Sequence, residues 1–130
     1  MERRIDQLGR IVLPIEVRKK LGIKPFDDIY YGIVGEEVHL SKVDKGGWIK
    51  RKIDNLGRFG FSKEIRNKLS MPDKCIVDLV LEGDVIKLSR SKINCIMCGS
   101  SESVKNVKGV RICQSCIDEI KEGHFWEVEL

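Results

Sequence analysis

The sequence predicts a mainly β protein with short helices, made of two tandem copies of one small unit followed by a separate cysteine-rich module. Three observations lead there. Residues 5–23, IDQLGRIVLPIEVRKKLGI, are echoed by residues 53–71, IDNLGRFGFSKEIRNKLSM. Within each echo, short β-branched runs flank a single amphipathic helical stretch. Residues 95–116 then hold four of the five cysteines, in two CxxC pairs.

The echo extends beyond the quoted stretches. Shifted by 48 residues, positions 3–41 align on 51–89 without a gap and with 13 identities, among them Asp6, Leu8, Gly9, Arg10, Arg18 and Leu21. The domain boundaries this suggests are residues 1–43 and 50–91 for the two repeats and 92–130 for the cysteine module. Between the repeats, VDKGGWIK contains Gly46-Gly47 and reads as a flexible joint.

The elements of one unit follow in order. Arg3–Asp6 reads as a short strand, Gln7–Arg10 as a turn needing Gly9 at positive φ, and Ile11–Leu13 as a second strand. Pro14 is placed at the first helical position, where its missing N–H costs nothing. Leu13, Val17 and Leu21 share one helical face, while Arg18, Lys19 and Lys20 fall on the other. Gly22 ends the helix. Ile29–Val34 and Glu37–Leu40 form a hairpin across Gly35-Glu36. In the second copy Ser62 replaces Pro14 and serves as an N-cap. A unit of this size cannot bury a core alone, but two packed together can.

Composition bounds the function. The chain has 130 residues, 42% hydrophobic and 34% charged, with a net charge of +4. No apolar run approaches the roughly 18 residues of a membrane span, and MERRIDQ lacks the apolar core of a secretory signal. The expected compartment is the cytoplasm. Residues 1–24 carry seven Lys/Arg against three Asp/Glu, and residues 50–70 carry seven against two. The segments outside them are neutral to acidic. Two basic stripes at matching positions are the footprint of a polyanion site. The plainer alternative for a charge run is a solvated helix face.

IDQLGRIVLPIEVRKKLGI with IYYGIVGEEVHLSKV resembles the AbrB/SpoVT family of bacterial DNA-binding transcription regulators. The resemblance implies a swapped-hairpin fold in which two units interleave their strands, here a pseudo-dimer of two tandem repeats. Pairing within one chain and pairing between two chains both remain open. It also implies a double-stranded DNA partner, met through Arg3, Arg4, Arg10, Arg18 and Lys19 of the first repeat and Arg51, Lys52, Arg58 and Arg66 of the second. Asn67 departs from the pattern, where the first repeat has Lys19. Guanidinium groups suit such a surface because they fork onto phosphate or guanine. The alternative for Arg10 and Arg58 is that they only cap their turns against Asp6 and Asp54.

The spacing of Cys95, Cys98, Cys113 and Cys116 is C-x2-C-x14-C-x2-C, close to the usual range for a four-cysteine zinc site. Four thiolates fill a tetrahedral zinc and leave no place for water, so one Zn2+ per chain is expected in a structural role. Val104–Val107 and Val110–Ile112 read as a hairpin, and Cys113 and Cys116 open a helix. This segment resembles treble-clef or ribbon zinc modules. Its charge gives no reason for DNA contact, so assembly into a homo-oligomer or contact with a protein partner is the expected role. Cys75, where the first repeat has Asp27, reads as a partly buried free thiol, and His39 as an ordinary strand residue. His124 lies beyond the helix and reads as a surface residue, and HFWEVEL as a final strand or docking tail.

An enzyme is not expected: there is no Ser/His/Asp set, no paired carboxylates, no phosphate loop and no open metal position. Besides a regulator, an antitoxin and a protein-interaction adaptor are consistent with the pattern.

Overall fold

The computed structural model describes residues 1–123. The expectations placed on His124 and on the terminal HFWEVEL lie outside the described residues.

Each repeat yields the same series of elements. The first gives β1 (Glu2–Arg4), β2 (Arg10–Val12), α1 (Ile15–Leu21), β3 (Asp28–Val34) and β4 (Glu37–Ser41). The second gives β5 (Ile49–Lys52), β6 (Arg58–Gly60), α2 (Lys63–Lys68), β7 (Ile76–Glu82) and β8 (Val85–Arg90). The main sheet runs β1-β7-β8-β4-β3-β5, and β2 pairs with β6 in a separate ribbon. The first strand of each unit therefore leaves its own hairpin and pairs with the other's: Arg3 lies opposite Val77, and Arg51 opposite Ile29. This is the swapped-hairpin arrangement, mainly β with short helices, and it forms here within one chain.

Matched backbone bonds reveal a pseudo-two-fold axis. The Ile5 amide donates to the Cys75 carbonyl at 2.9 Å, and the Ile53 amide to the Asp27 carbonyl at 2.8 Å. The Leu13 amide donates to Gly57, and the Phe61 amide to Gly9. One core lies between the copies, filled by equivalent residues such as Ile5 and Ile53, Val38 and Ile86, and Leu40 and Leu88, all without solvent exposure. A single copy would leave these side chains in water, at roughly 1.5–3 kcal/mol each. Phe59 packs edge-on against Tyr31 and Phe61, so the second repeat supplies the bulk at the centre.

Three local details differ from the sequence expectation. Pro14 is the cap rather than the first helical residue: its ψ of 141° is extended, and the helix begins at Ile15. The joint is a built turn, because the Asp44 carboxylate accepts the amides of Gly46 and Trp48, each at 3.0 Å. Cys75 is fully buried rather than partly so. Burial pushes its thiol up to about 11, against the nearby Arg90 charge.

The C-terminal module holds β9 (Val104–Val107), β10 (Val110–Cys113) and α3 (Gln114–Lys121). It is fixed to the body through Asn94, whose buried amide accepts from the Ile76 N–H at 2.9 Å and donates to the Ile76 and Ser91 carbonyls. Among the described residues, no helix is long and apolar enough to cross a membrane.

Candidate functional site

The β2–β6 ribbon organises the basic residues. Its register sets Arg10 opposite Gly60 and Arg58 opposite Val12, with Ile11 and Phe59 between them. Ile11 and Phe59 point into the core and are buried. Strand alternation therefore turns Arg10, Val12, Arg58 and Gly60 outward on one face. Both arginines sit beside their turns in the same way. The Asp6 carboxylate accepts the amides of Leu8 and Arg10 and the Arg10 Nε, the last at 2.9 Å. Asp54 repeats this with Leu56 and Arg58, the side-chain bond being 2.5 Å. Burial raises each carboxyl, but these hydrogen bonds outweigh it and hold both below the usual range. The turn-capping role is thus present. It engages Nε, and among the described residues no acceptor takes the terminal amino groups of either arginine.

Arg18 and Arg66 occupy different places. Each crosses to the opposite repeat and lies over a turn glycine. A methyl on Gly57 would come within 2.6 Å of the Arg18 guanidinium, and one on Gly9 within 2.7 Å of that of Arg66. The Arg18 Nε donates to its own Leu13 carbonyl, whereas the Arg66 Nε is buried with no hydrogen-bond partner among the described residues. These two side chains brace the turns that carry Arg10 and Arg58.

The remaining basic positions are unequal between the copies. Arg51 reaches the ribbon, its Nη2 and Nε lying 3.4 and 3.8 Å from where a Gly60 Cβ would stand. Its counterpart Arg3 donates to the Glu2 carbonyl instead, and Val12 stands where the second copy has Gly60. Lys52 is paired with Asp28 at 3.4 Å. Arg4 and Lys19 are exposed. Exposed Leu8 and Leu56 tip the two turns.

The second candidate site is the cysteine cluster. The Sγ atoms of Cys95, Cys98, Cys113 and Cys116 all lie within 4.8 Å of one another, and Cys98 and Cys113 are 3.6 Å apart. Four sulfurs at ~2.3 Å from a tetrahedral zinc would be ~3.8 Å apart, so the residues present fit such an ion. Cys95, Cys113 and Cys116 are buried and Cys98 is exposed. Burial raises the Cys95 thiol, yet the amides of Cys113, Cys98 and Met97 more than compensate and bring it down to about 6. Cys98 and Cys116 are raised, first by burial; at Cys116 the bonds shared with the other cysteines add to it. Four crowded sulfurs with one favoured thiolate form a donor set that a divalent cation completes. Cys113 caps α3, its Sγ accepting the Cys116 amide at 3.4 Å.

Sequence reasoning missed the residues that join the two sites. Lys42 Nζ donates to the Gly22 carbonyl at 2.8 Å at the end of α1. Its counterpart 48 positions on, Arg90, donates to the Ser70 carbonyl at 3.2 Å past the end of α2 and to the Ile96 carbonyl at 3.4 Å in the cysteine knuckle. The available signal was a basic residue at the end of the last strand of the second copy and just past it in the first.

No family model matches the chain. It is 42% identical over 45 residues to the "Putative transition state regulator Abh" of Bacillus subtilis, covering 35% of this chain and 49% of that protein. It is 42% identical over 40 residues to the transition state regulatory protein AbrB of the same organism, covering 31% of this chain and 42% of that protein. The chain thus spans about half the length, or less, of these curated relatives. The solution structure of PHS018 from Pyrococcus horikoshii aligns over 70% of this chain and 86% of its own, at 20% identity and a TM-score of 0.41. The two sequence matches support the presence of an AbrB-like domain, and the two relatives carry the names of regulators rather than of enzymes.

Proposed function

We propose that the chain is a DNA-binding transcription regulator of the AbrB/SpoVT type, built as a single-chain pseudo-dimer of repeats 1–43 and 50–91. The observation that carries this reading is the ribbon face. It presents Arg10 and Arg58 at equivalent outward positions, on turns fixed by Asp6 and Asp54 and braced by Arg66 and Arg18. Two equivalent guanidinium groups on a rigid two-fold frame suit two neighbouring stretches of duplex. Arg51, close beside Arg10, adds to this patch, with half-buried Arg3 and exposed Arg4, Lys19 and Lys52 at its periphery. Arg18 and Arg66 act chiefly by holding the turns. The module of residues 92–130 takes one structural Zn2+ on Cys95, Cys98, Cys113 and Cys116. The ion replaces the core that so short a segment lacks.

Such a surface reads backbone and duplex deformability more than a strict base sequence. Because the copies differ at Val12/Gly60 and Lys19/Asn67, the favoured site is asymmetric. The test is fluorescence anisotropy of the zinc-loaded protein on its own promoter DNA across a salt series. Six neutralised phosphates predict a slope of log K on log salt of about −5. Arg10→Ala/Arg58→Ala should flatten it by about 2, while the turns persist through the Asp6 and Asp54 bonds to backbone amides. No binding at low salt with the metal site intact would sink the reading.

A further inference from the structure

The two helices end differently, and the difference involves the metal module. Past α1, Gly22 takes a left-handed φ of 67° at no steric cost, and Lys42 caps its carbonyl. Past α2 the equivalent residue is Ser70, held at φ 53° despite its side chain. Its carbonyl receives Arg90 Nη1 and lies against Gly99 of the cysteine knuckle, where a Cβ would come within 2.5 Å of the Ser70 oxygen. Arg90 Nη2 bonds the Ile96 carbonyl, between Cys95 and Cys98. From its single nitrogen Lys42 holds the Gly22 carbonyl and lies 3.5 Å from the Asp27 carboxylate, both in its own repeat, whereas the planar guanidinium of Arg90 forks between a carbonyl of α2's end and one of the module. Arginine therefore stands where the module must be joined to the helix, and lysine where there is no module. The joint is reinforced by Lys74–Glu102 at 3.0 Å and by the Ser101 hydroxyl donating to the Lys74 carbonyl.

We propose that Arg90 is a positioning residue that couples occupancy of the four-cysteine centre to the C-terminal end of α2. A divalent thiophilic metal bound there thereby sets the geometry of the Gly9 turn, across the pseudo-two-fold, and of the Arg10 that it carries. The path is short and continuous. The metal fixes the Cys95–Cys98 knuckle; the knuckle fixes the Ile96 carbonyl and Gly99; Arg90 and Gly99 hold Ser70. The Met71 amide donates to the Arg66 carbonyl at 2.8 Å, and the Arg66 side chain braces the Gly9 turn that carries Arg10. The bistable element is the knuckle, folded with metal and loosened without it. The DNA part of this inference rests on the proposed function; the coupling to α2 does not.

The experiment compares the full chain, zinc-loaded and chelated, with Arg90→Lys in both states. Amide hydrogen exchange over residues 67–71 is read beside DNA affinity. Metal should slow exchange there in the wild type and leave the equivalent residues 19–23 unchanged. Coupling of ordinary size predicts DNA binding about 5- to 150-fold tighter with metal. Arg90→Lys should still bind one zinc, yet show little difference between its two states in either readout. Should Arg90→Lys fail to take up zinc, Arg90→Gln replaces it. Exchange at 67–71 that ignores metal, or a lysine variant that responds as the wild type does, overturns the proposal. A metal-dependent, Arg90-dependent change in exchange with no DNA binding in any form upholds the coupling and removes the DNA reading instead.

Discussion

The two repeats reach one backbone geometry by different chemistry, and the contrast separates what the fold demands from what each copy adds. Both turns use an Asp carboxylate, a glycine at positive φ and a bracing arginine from the other copy. Those residues are identical in the two copies. The helices show the opposite pattern. The first starts at Pro14 with no side-chain cap bond and ends at a glycine held by Lys42. The second starts at Ser62, whose hydroxyl accepts the Ile65 amide, and ends at a strained serine held by Arg90 and the cysteine module. The end of α1 is held within its own repeat, while the end of α2 lies against the module.

Metal removal is the strongest way to test that contrast. Among the described residues, the module's buried core is little more than three cysteines with Val104 and Ile112. Without an ion such a segment does not hold its fold. Chelation, or Cys113→Ser, should strip exchange protection from residues 95–121 while the six-stranded sheet keeps its own. Differential scanning calorimetry should then show the body melting separately. Loss of the sheet together with the module would mean that the repeats do not form an independent core.

Next in size are the two turn glycines. Gly9→Ala and Gly57→Ala each place a methyl against the opposite arginine and strain a φ of 78° or 75°. Each should cost about 1–3 kcal/mol, read from urea denaturation. Matching losses would confirm that the braces are equivalent. A clearly smaller loss at Gly9 would show that the buried, unbonded Arg66 Nε leaves its brace looser than that of Arg18.

Both turns should also respond alike to acid. Asp6 and Asp54 have folded pKa values below that of an unfolded carboxylate, near 3.9. Each therefore contributes its stability fully above that value and loses it as pH falls through the lower, folded one. The wild-type melting temperature should drop on acidification below about pH 4. Asp6→Asn/Asp54→Asn should melt lower at pH 6 and show a shallower acid dependence.

Much of this architecture was legible in the sequence, for identifiable reasons. The turns were readable because Asp, Gly and Arg at fixed spacing have few alternative uses, and the cysteine spacing carries its own geometry. The exchange of β1 and β5 within one chain was not, since a joint of that length permits either pairing; the Asp44-capped turn shows how this one is made. Arg18 and Arg66 read as outward-facing because helical periodicity places them on the basic face. Periodicity does not show that a glycine from another repeat lies beneath them. Arg90 was invisible for a similar reason, as its two acceptors lie 20 residues before and 6 residues after it.

The smallest effects lie at the ends of α2, where the repeats differ most. Ser62→Ala removes the side-chain N-cap of that helix and should cost about 1 kcal/mol. Nothing equivalent is lost at Pro14, which makes no such bond. Ser70→Gly should act in the other direction. A left-handed residue with a side chain carries a penalty of about 1–2 kcal/mol, and glycine returns much of this as extra freedom in the unfolded chain, leaving a gain of about 0.5 kcal/mol. That gain should appear in the zinc-loaded and chelated proteins alike if the strain at Ser70 belongs to the backbone turn itself. If it appears only with zinc, the module is what presses Ser70 into this conformation, and the second repeat keeps its geometry at the module's insistence rather than its own.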